Sequence, residues 1–313
     1  MSKNVTVVTG GAGFIGSHLA EELLKHGYHV VLLDDLSTGK RANIEHILTQ
    51  DSIQFIQGSV TDFPLLNKLL HDVSYVFHLA AIPSVPRSIE NPLASHDVNA
   101  TGTLNVLLAA KANEVKKVIY ASSSSVYGDT PTLPKREDMS PNPQSPYSVA
   151  KLAGEYYCQV FSRVSGLPTA CLRYFNVYGP RQDPASQYSA VIPRFVDRIL
   201  KGEQPIIFGD GEQTRDFTFV KDAAQANILA AESDATGVFN VGTGKRISIN
   251  ELAKLVTGLM HRDSQPVHQK PRPGDIKHSL ADVSKARQFG YDPRYNLEEG
   301  LRETIEGFGQ WSA

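Results

Sequence analysis

Tyr147 and Lys151 stand four residues apart in Tyr147-Ser148-Val149-Ala150-Lys151, directly after the turn-forming Asn142-Pro143-Gln144-Ser145-Pro146. On a helix that spacing puts both side chains on one face. A free phenol ionises at about pH 10, too high for a base at neutral pH, and a neighbouring ammonium draws that value down. A tyrosine so placed can take a proton from a substrate hydroxyl. A tyrosine and a lysine at this spacing often arise by chance, so the pair gains meaning only from its surroundings. Upstream lie Ser122-Ser123-Ser124-Ser125 and then Val126-Tyr127-Gly128. A hydroxyl buried without a partner is costly, so a serine run at a strand end is either a solvated loop or a set of groups aimed at a polar ligand. Near the N-terminus, Gly10, Gly13 and Gly16 fall in Gly10-Gly11-Ala12-Gly13-Phe14-Ile15-Gly16, and Asp34 follows 18 residues after the last of them.

The elements that must position these groups can be read from the hydrophobic pattern. Val5-Thr6-Val7-Val8 predicts a strand that runs straight into the glycines, and Leu19, Leu23 and Leu24 predict a helix ending near Gly27. Strand, glycine turn and helix form the context in which such glycines bind a dinucleotide. Gly10 allows the tight turn, Gly13 the approach of a pyrophosphate, and Gly16 the packing of helix on strand. The pyrophosphate would rest on the helix N-terminus, where free N–H groups favour anions. A second strand, His29-Val30-Val31-Leu32-Leu33, ends in Asp34, placed to meet the adenosine ribose hydroxyls. An acid there favours NAD, while Lys40 and Arg41 nearby leave NADP open.

The alternation continues through strands at Ile53–Ile56, Tyr75–Leu79 and Lys117–Tyr120, a short helix after Asp62 and a long helix over 91–113. Ala80 and Ala81 are small side chains where a flat cofactor must pass, and His78 reads as a packed strand-end residue without a catalytic role. Alternating strands and helices predict an α/β fold, a doubly wound parallel Rossmann sheet with ligands at the strands' C-terminal ends. Helical patterns near 192–200, 223–231, 249–260 and 297–308, separated by Pro and Gly clusters, predict a smaller mixed α/β lobe that binds substrate. The expected division is 1–171 for the cofactor and the Tyr-x-x-x-Lys, and 172–313 mainly for the substrate, with some segments returning to the sheet.

Composition narrows the class. The 313 residues are 41% hydrophobic and 20% charged, with a formal net charge of -2. These values are ordinary for a globular protein and give no bulk attraction to nucleic acid or membrane surfaces. Cys158 and Cys171 lack metal-ligand spacing, so no metal is expected. With no apolar run of membrane-spanning length and no leader-like N-terminus, the expected location is the cytoplasm.

Jointly the glycine turn, Asp34, the serine strand end with Val126-Tyr127-Gly128, and Tyr147-x-x-x-Lys151 resemble the extended short-chain dehydrogenase/reductases. Arg173-Tyr174-Phe175-Asn176-Val177-Tyr178-Gly179-Pro180 and Gly209-Asp210-Gly211-Glu212-Gln213-Thr214-Arg215-Asp216-Phe217 extend the resemblance to that family's nucleotide-sugar 4-epimerases, over nearly the whole chain. It implies Ser123, Tyr147 and Lys151 as catalytic residues acting with NAD on a UDP-sugar. Lys151 would depress the Tyr147 pKa and hold the nicotinamide ribose. To the glycines and Asp34 it adds Phe14, Ile15, Ser59, Val60, Leu79, Ala80, Ala81, Asn99 and Tyr174 around the cofactor. Ser59 stands where the family often has Asp, which weakens the expected adenine contact. For the substrate it implies Ser84, Ser123, Ser124, Ser125, Tyr147, Asn176, Ala190, Val191, Arg215, Arg272 and Asp275. An arginine suits a diphosphate because its planar fork binds two oxygens at once.

The resemblance also sharpens the reaction. Related dehydratases carry an Asp-Glu pair where this chain has Ser124 and Ser125, which argues against dehydration. In the UDP-sugar 4-epimerases the position four after the ribose-binding Asp walls the sugar pocket. Here it is Ser279, small enough to admit an N-acetyl group. The expected reaction is interconversion of UDP-N-acetylglucosamine and UDP-N-acetylgalactosamine, with weaker action on UDP-glucose and UDP-galactose. A UDP-glucose or UDP-glucuronate 4-epimerase is the nearest alternative, and a non-catalytic NAD-binding sensor is the alternative of a different class. A homodimer, paired through the helices at 91–113 and after Tyr147, is expected from the resemblance alone.

Overall fold

The computed structural model describes residues 4–184, 190–262, 264–271 and 276–311. Its strands are β1 (Val5–Thr9), β2 (His29–Asp34), β3 (Ile53–Gln57), β4 (Tyr75–His78), β5 (Lys117–Ser123), β6 (Thr169–Tyr174), β7 (Val177–Tyr178), β8 (Ile206–Phe208), β9 (Thr214–Arg215), β10 (Thr218–Phe219), β11 (Gly237–Val241), β12 (Ile247–Ser248) and β13 (Val267–Gln269). The helices are α1 (Phe14–Lys25), α2 (Phe63–Leu69), α3 (Val85–Glu90), α4 (Pro92–His96), α5 (Gly102–Ala112), α6 (Pro146–Ser165), α7 (Val191–Leu200), α8 (Val220–Glu232), α9 (Ile249–Leu259), α10 (Ser284–Arg287) and α11 (Leu297–Trp311).

Seven parallel strands form one sheet in the order β11-β6-β5-β4-β1-β2-β3. Strands covered on both faces read as continuous apolar runs, as Val7-Val8 and Val118-Ile119-Tyr120 do. The chain winds from β1 outward to β3, then returns to the other side of β1 with β4. The strand order therefore reverses between β1 and β4, where open α/β sheets bind ligands. One apolar cluster gathers Leu19 and Leu23 of α1 with Ala223, Ala226 and Ile228 of α8, and another gathers Leu66 of α2 with Val106 and Leu107 of α5. Each leucine removed from water in this way contributes about 1.5–3 kcal/mol. A third cluster joins α7, α9 and α11 through Ile192, Phe195, Leu252, Val256 and Leu301.

Local signals set the helix that matters most. The Ser145 side chain accepts the Ser148 N–H at 3.2 Å, Pro146 opens α6, and Gly166 closes it at a φ of 69°. Those are the preferred cap, first residue and terminator of a helix. Gly154 lets α6 lie hard against β5, since a Cβ there would meet the Tyr120 hydroxyl at 2.3 Å. The helix predicted over 91–113 is instead α4 and α5 joined by a π-helical turn, Asp97–Thr101. From the start of α5 the Thr103 hydroxyl donates back to the Asn99 carbonyl in that turn at 2.7 Å, and Asn99 is turned fully inward. Among the described residues no helix is long and apolar enough to cross a membrane.

Candidate active site

At the reversal point the glycine turn leaves no room for side chains. Gly10 has φ 71°, and a Cβ on it would come within 2.7 Å of the Ala80 nitrogen at the end of β4. A Cβ on Gly16 would stand 2.1 Å from the Gly10 carbonyl oxygen, and one on Gly13 3.1 Å from the same atom. Gly13 caps α1 in extended geometry with no side-chain hydrogen bond, so the first-turn amides of Phe14 and Ile15 are offered outward from an uncapped helix end. Leu79, Ala80 and Ala81 are half-buried beside it.

Asp34 is buried and receives the Ala12 amide at 3.0 Å and the Leu36 amide at 2.8 Å. Burial pushes its carboxyl above the usual range, and those amides act against the rise. Asn43, also buried, donates to the Ala12 carbonyl while its Oδ1 has no hydrogen-bond partner. A small-residue turn, an uncapped helix end, an acid beside it and an orphaned buried acceptor fit a dinucleotide. The basic neighbours are engaged elsewhere: Lys40 pairs with Asp183 at 3.2 Å and Arg41 lies over the Phe55 ring. Cofactor released by denaturing the purified protein should be NAD(H), and NADP(H) in the extract would contradict this role for Asp34. Ser59 bonds Thr61 at 2.9 Å, and the carbonyl of buried Val60 accepts from Asn105. The Asn99 amide is fully committed, accepting the Ile82 N–H at 2.8 Å and donating to Ile82 and Ser95. Its contribution is to fix the loop after β4 rather than to offer its side chain.

The catalytic candidates meet at the end of β5. The Ser123 hydroxyl lies near enough to the Tyr147 phenol to lower its pKa, and its Oγ accepts the Ser125 amide at 3.2 Å. Lys151 is buried one turn along α6 and donates to the Ala121 carbonyl at 2.8 Å, its ammonium 5.0 Å from the Tyr120 ring centroid. Sequence spacing predicts that Lys151 lowers the phenol's pKa. In the structure the Tyr147 phenol stands above its ordinary value because burial dominates, and the Ser123 hydroxyl is the influence that lowers it. The ammonium is directed to the strand backbone, and its own pKa is lowered by burial to about 8. Ser124 is half-buried, while the Ser125 hydroxyl is buried without a partner. His78 bonds Thr9 at 2.7 Å and Thr103 at 3.0 Å and stacks on Tyr120, as befits a packed strand-end residue. Burial brings its pKa down to about 3, so the ring is neutral.

The expected substrate residues divide. Asn176 takes a φ of 34° and donates to the Asp216 carbonyl at 2.9 Å. Arg215 reaches the Thr214 and Lys277 carbonyls, and the Ser279 amide donates to the Thr214 carbonyl at 3.0 Å, so Arg215 and half-buried Ser279 flank one residue. Ala190 caps α7 without a side-chain bond and Val191 begins that helix. Ser84 caps α3, and the Tyr174 hydroxyl meets Asn227 at 3.1 Å within the core. Arg272 and Asp275 lie outside the described residues.

Several contributors escaped the sequence reading. Buried Ser88 accepts the Tyr147 amide at 3.1 Å and so fixes the first turn of α6 from α3. Asp216 is fully buried and receives the amides of Thr243, Gly244 and Ala281, tying the segment around Arg215 to the one after Ser279. Glu155, two turns after Tyr147, is buried against Ser122 and Arg173. Its signal was available, because Tyr147, Lys151 and Glu155 repeat at i, i+4 and i+8.

Residues 6–242 match the NAD dependent epimerase/dehydratase family. The UDP-N-acetylglucosamine 4-epimerase from Methanobrevibacter ruminantium M1, solved in complex with UDP-N-acetylmuramic acid, is 45% identical with a TM-score of 0.96 over 99% of this chain and 100% of that one. The UDP-glucose 4-epimerase of Thermotoga maritima with UDP-glucose is 40% identical, TM-score 0.94, over 99% and 100% of the two chains. The UDP-glucuronic acid 4-epimerase from Bacillus cereus with UDP-glucuronic acid and NAD is 36% identical, TM-score 0.91, over 98% and 99%.

Proposed function

The chain belongs to the NAD dependent epimerase/dehydratase family, within the extended short-chain dehydrogenase/reductases, and from that premise we propose that it inverts C4 of UDP-N-acetylglucosamine and UDP-N-acetylgalactosamine, acting more weakly on UDP-glucose and UDP-galactose. Tyr147 takes the C4 hydroxyl proton, and Ser123, whose hydroxyl lowers the phenol's pKa, steadies the same oxygen and relays that proton. Bound NAD would supply the hydride acceptor and donor for C4. The 4-keto sugar turns over between the two steps, so reduction on its other face gives the epimer. Gly10, Gly13, Gly16, Phe14, Ile15 and Asp34 hold the cofactor with Lys151 at its ribose, while Asn176 and Arg215 take the diphosphate. Residues 1–171 thus carry the cofactor and the proton chemistry and the remainder mainly the sugar nucleotide, in a cytoplasmic enzyme.

Ser279 carries the choice of sugar. It is held by its backbone beside Thr214, and its side chain is smaller than an aromatic one would be at that position. An acetamido group needs that room both on binding and while the keto sugar rotates, and the name of the M. ruminantium relative agrees with an N-acetylated substrate. Ser279→Tyr should lower turnover of the acetylated pair by ~10-fold or more while sparing the unacetylated pair. Equal action on both pairs by that variant would remove the basis for the choice.

A second copy of the chain is the expected partner. Val149, Tyr156, Val160 and Val164 are exposed along α6, as are Leu93 on α4 and Leu108 on α5. Their spacing on α6 puts them on one face, an apolar stripe that water disfavours. Light scattering should give the mass of a dimer, with Val160→Glu shifting it toward monomer; a monomeric native protein contradicts the pairing.

A further inference from the structure

Beneath the catalytic pair lies an ion pair that the proton chemistry above does not use. Glu155 is fully buried and Arg173 nearly so. The guanidinium forks onto the carboxylate, Nε to Oε1 at 2.8 Å and Nη2 to Oε2 at 2.7 Å. The Ser122 hydroxyl donates to the same Oε1, and the Arg173 guanidinium lies 4.6 Å from the Tyr127 ring centroid. Burying two charges costs about as much as their attraction returns, so stability alone gives little reason for such a pair. Its position is more telling. Ser122 precedes Ser123 on β5, and Glu155 sits one turn beyond Lys151 on α6.

We propose that Glu155 is a positioning residue of this site, its carboxylate fixing the strand end that carries Ser123 and standing one turn along α6 from the buried Lys151. The inference rests on the assignment of Ser123, Tyr147 and Lys151 made above. Among the described residues, Glu155 is the buried carboxylate that acts on Lys151, beside Cys158 on the same helix. His78 on β4 is neutral, Tyr120 on β5 presents its ring, and Tyr147 and Cys158 share its helix. Arg173 on β6 is neutralised by Glu155 itself, and Arg87, Glu90, His96, Asp97 and Lys111 on α3, α4, the π turn and α5 are exposed. Burial draws the Lys151 amine down to about 8, and Cys158 and then the Glu155 charge oppose that fall. Without Glu155 the amine should lose its proton at lower pH.

A site that needs charged Lys151 loses activity as pH rises through that pKa, so removing the anion moves the alkaline limb of the kcat profile downward. For Glu155→Gln we expect kcat to fall ~10-fold and the limb to move down by roughly one unit. Glu155→Asp keeps the charge and should leave the limb in place while lowering kcat. Ser122→Ala removes only the strand-end contact and should likewise lower kcat with an unmoved limb. An unmoved limb in a folded, NAD-containing Glu155→Gln protein overturns the proposal. If that variant does not fold, a limb displaced in Glu155→Asp, or kcat unchanged in Ser122→Ala, overturns it instead. Lys151→Met run in parallel separates the two levels, since near-native turnover there refutes the assigned catalytic site itself.

Discussion

Replacing Tyr147 by phenylalanine should lower turnover by ~10²–10⁴-fold, the usual share of general acid–base catalysis, with bound NAD retained. The ring stays and the fold of α6 is untouched, because its start is fixed by Ser145, Pro146 and the Ser88 hydroxyl on the Tyr147 amide. Only the hydroxyl goes, and with it the interaction with the Ser123 hydroxyl. Burial holds the phenol above its ordinary pKa, so the protein must lower it again on turnover, and the Ser123 hydroxyl is the influence that already lowers it. Turnover and cofactor content measured on the same preparation decide the matter. Near-native rates in a protein that keeps its NAD would remove Tyr147 from the role of base.

Gly16→Ala should strip the purified protein of most of its NAD. The added Cβ would sit 2.1 Å from the Gly10 carbonyl oxygen and 3.0 Å from the Gly11 Cα, both backbone. Gly10 cannot yield, because it is itself wedged against Leu79 and Ala80 at a positive φ. The turn has to open, and overpacking of this kind costs about 1–3 kcal/mol. Gly258→Ala in α9 is the control, since a Cβ there meets nothing within 4 Å. Near a helix end with no steric conflict it should stabilise by ~0.4–1 kcal/mol. NAD content should fall in Gly16→Ala and stay native in Gly258→Ala, while thermal unfolding of the two moves in opposite senses; a Gly16→Ala protein with native cofactor content contradicts the reading of the turn.

The strands around the cofactor were readable because they are short apolar runs next to turn residues, and β1 to β5 fall within a few residues of where the pattern puts them. The sheet's far edge was not assigned. β6 carries Thr169, Cys171 and Arg173, and β11 is a five-residue strand that pairs with it from some 60 residues later. Nothing local in either segment announces that pairing. The π turn at 97–101 was hidden for a similar reason, since one extra residue per turn hardly alters an apolar pattern already buried on several sides. At the site, Tyr147 and Lys151 were legible because their partnership is written as a spacing along one helix. The Ser88 bond to the Tyr147 amide spans 59 residues and the Lys151 bond ends on a backbone carbonyl, so neither leaves a mark in residue types. Glu155 is the intermediate case, visible in its spacing and silent about Arg173.

Incubation of the purified protein with UDP-N-acetylglucosamine deuterated at C4, followed by NMR of the sugar products, tests the central claim most directly. Inversion through a ketone that regains its own hydrogen predicts UDP-N-acetylgalactosamine with the deuterium still on C4. Loss of that label to solvent, or no C4 epimer from any UDP-sugar by protein that carries its full NAD, would contradict the account.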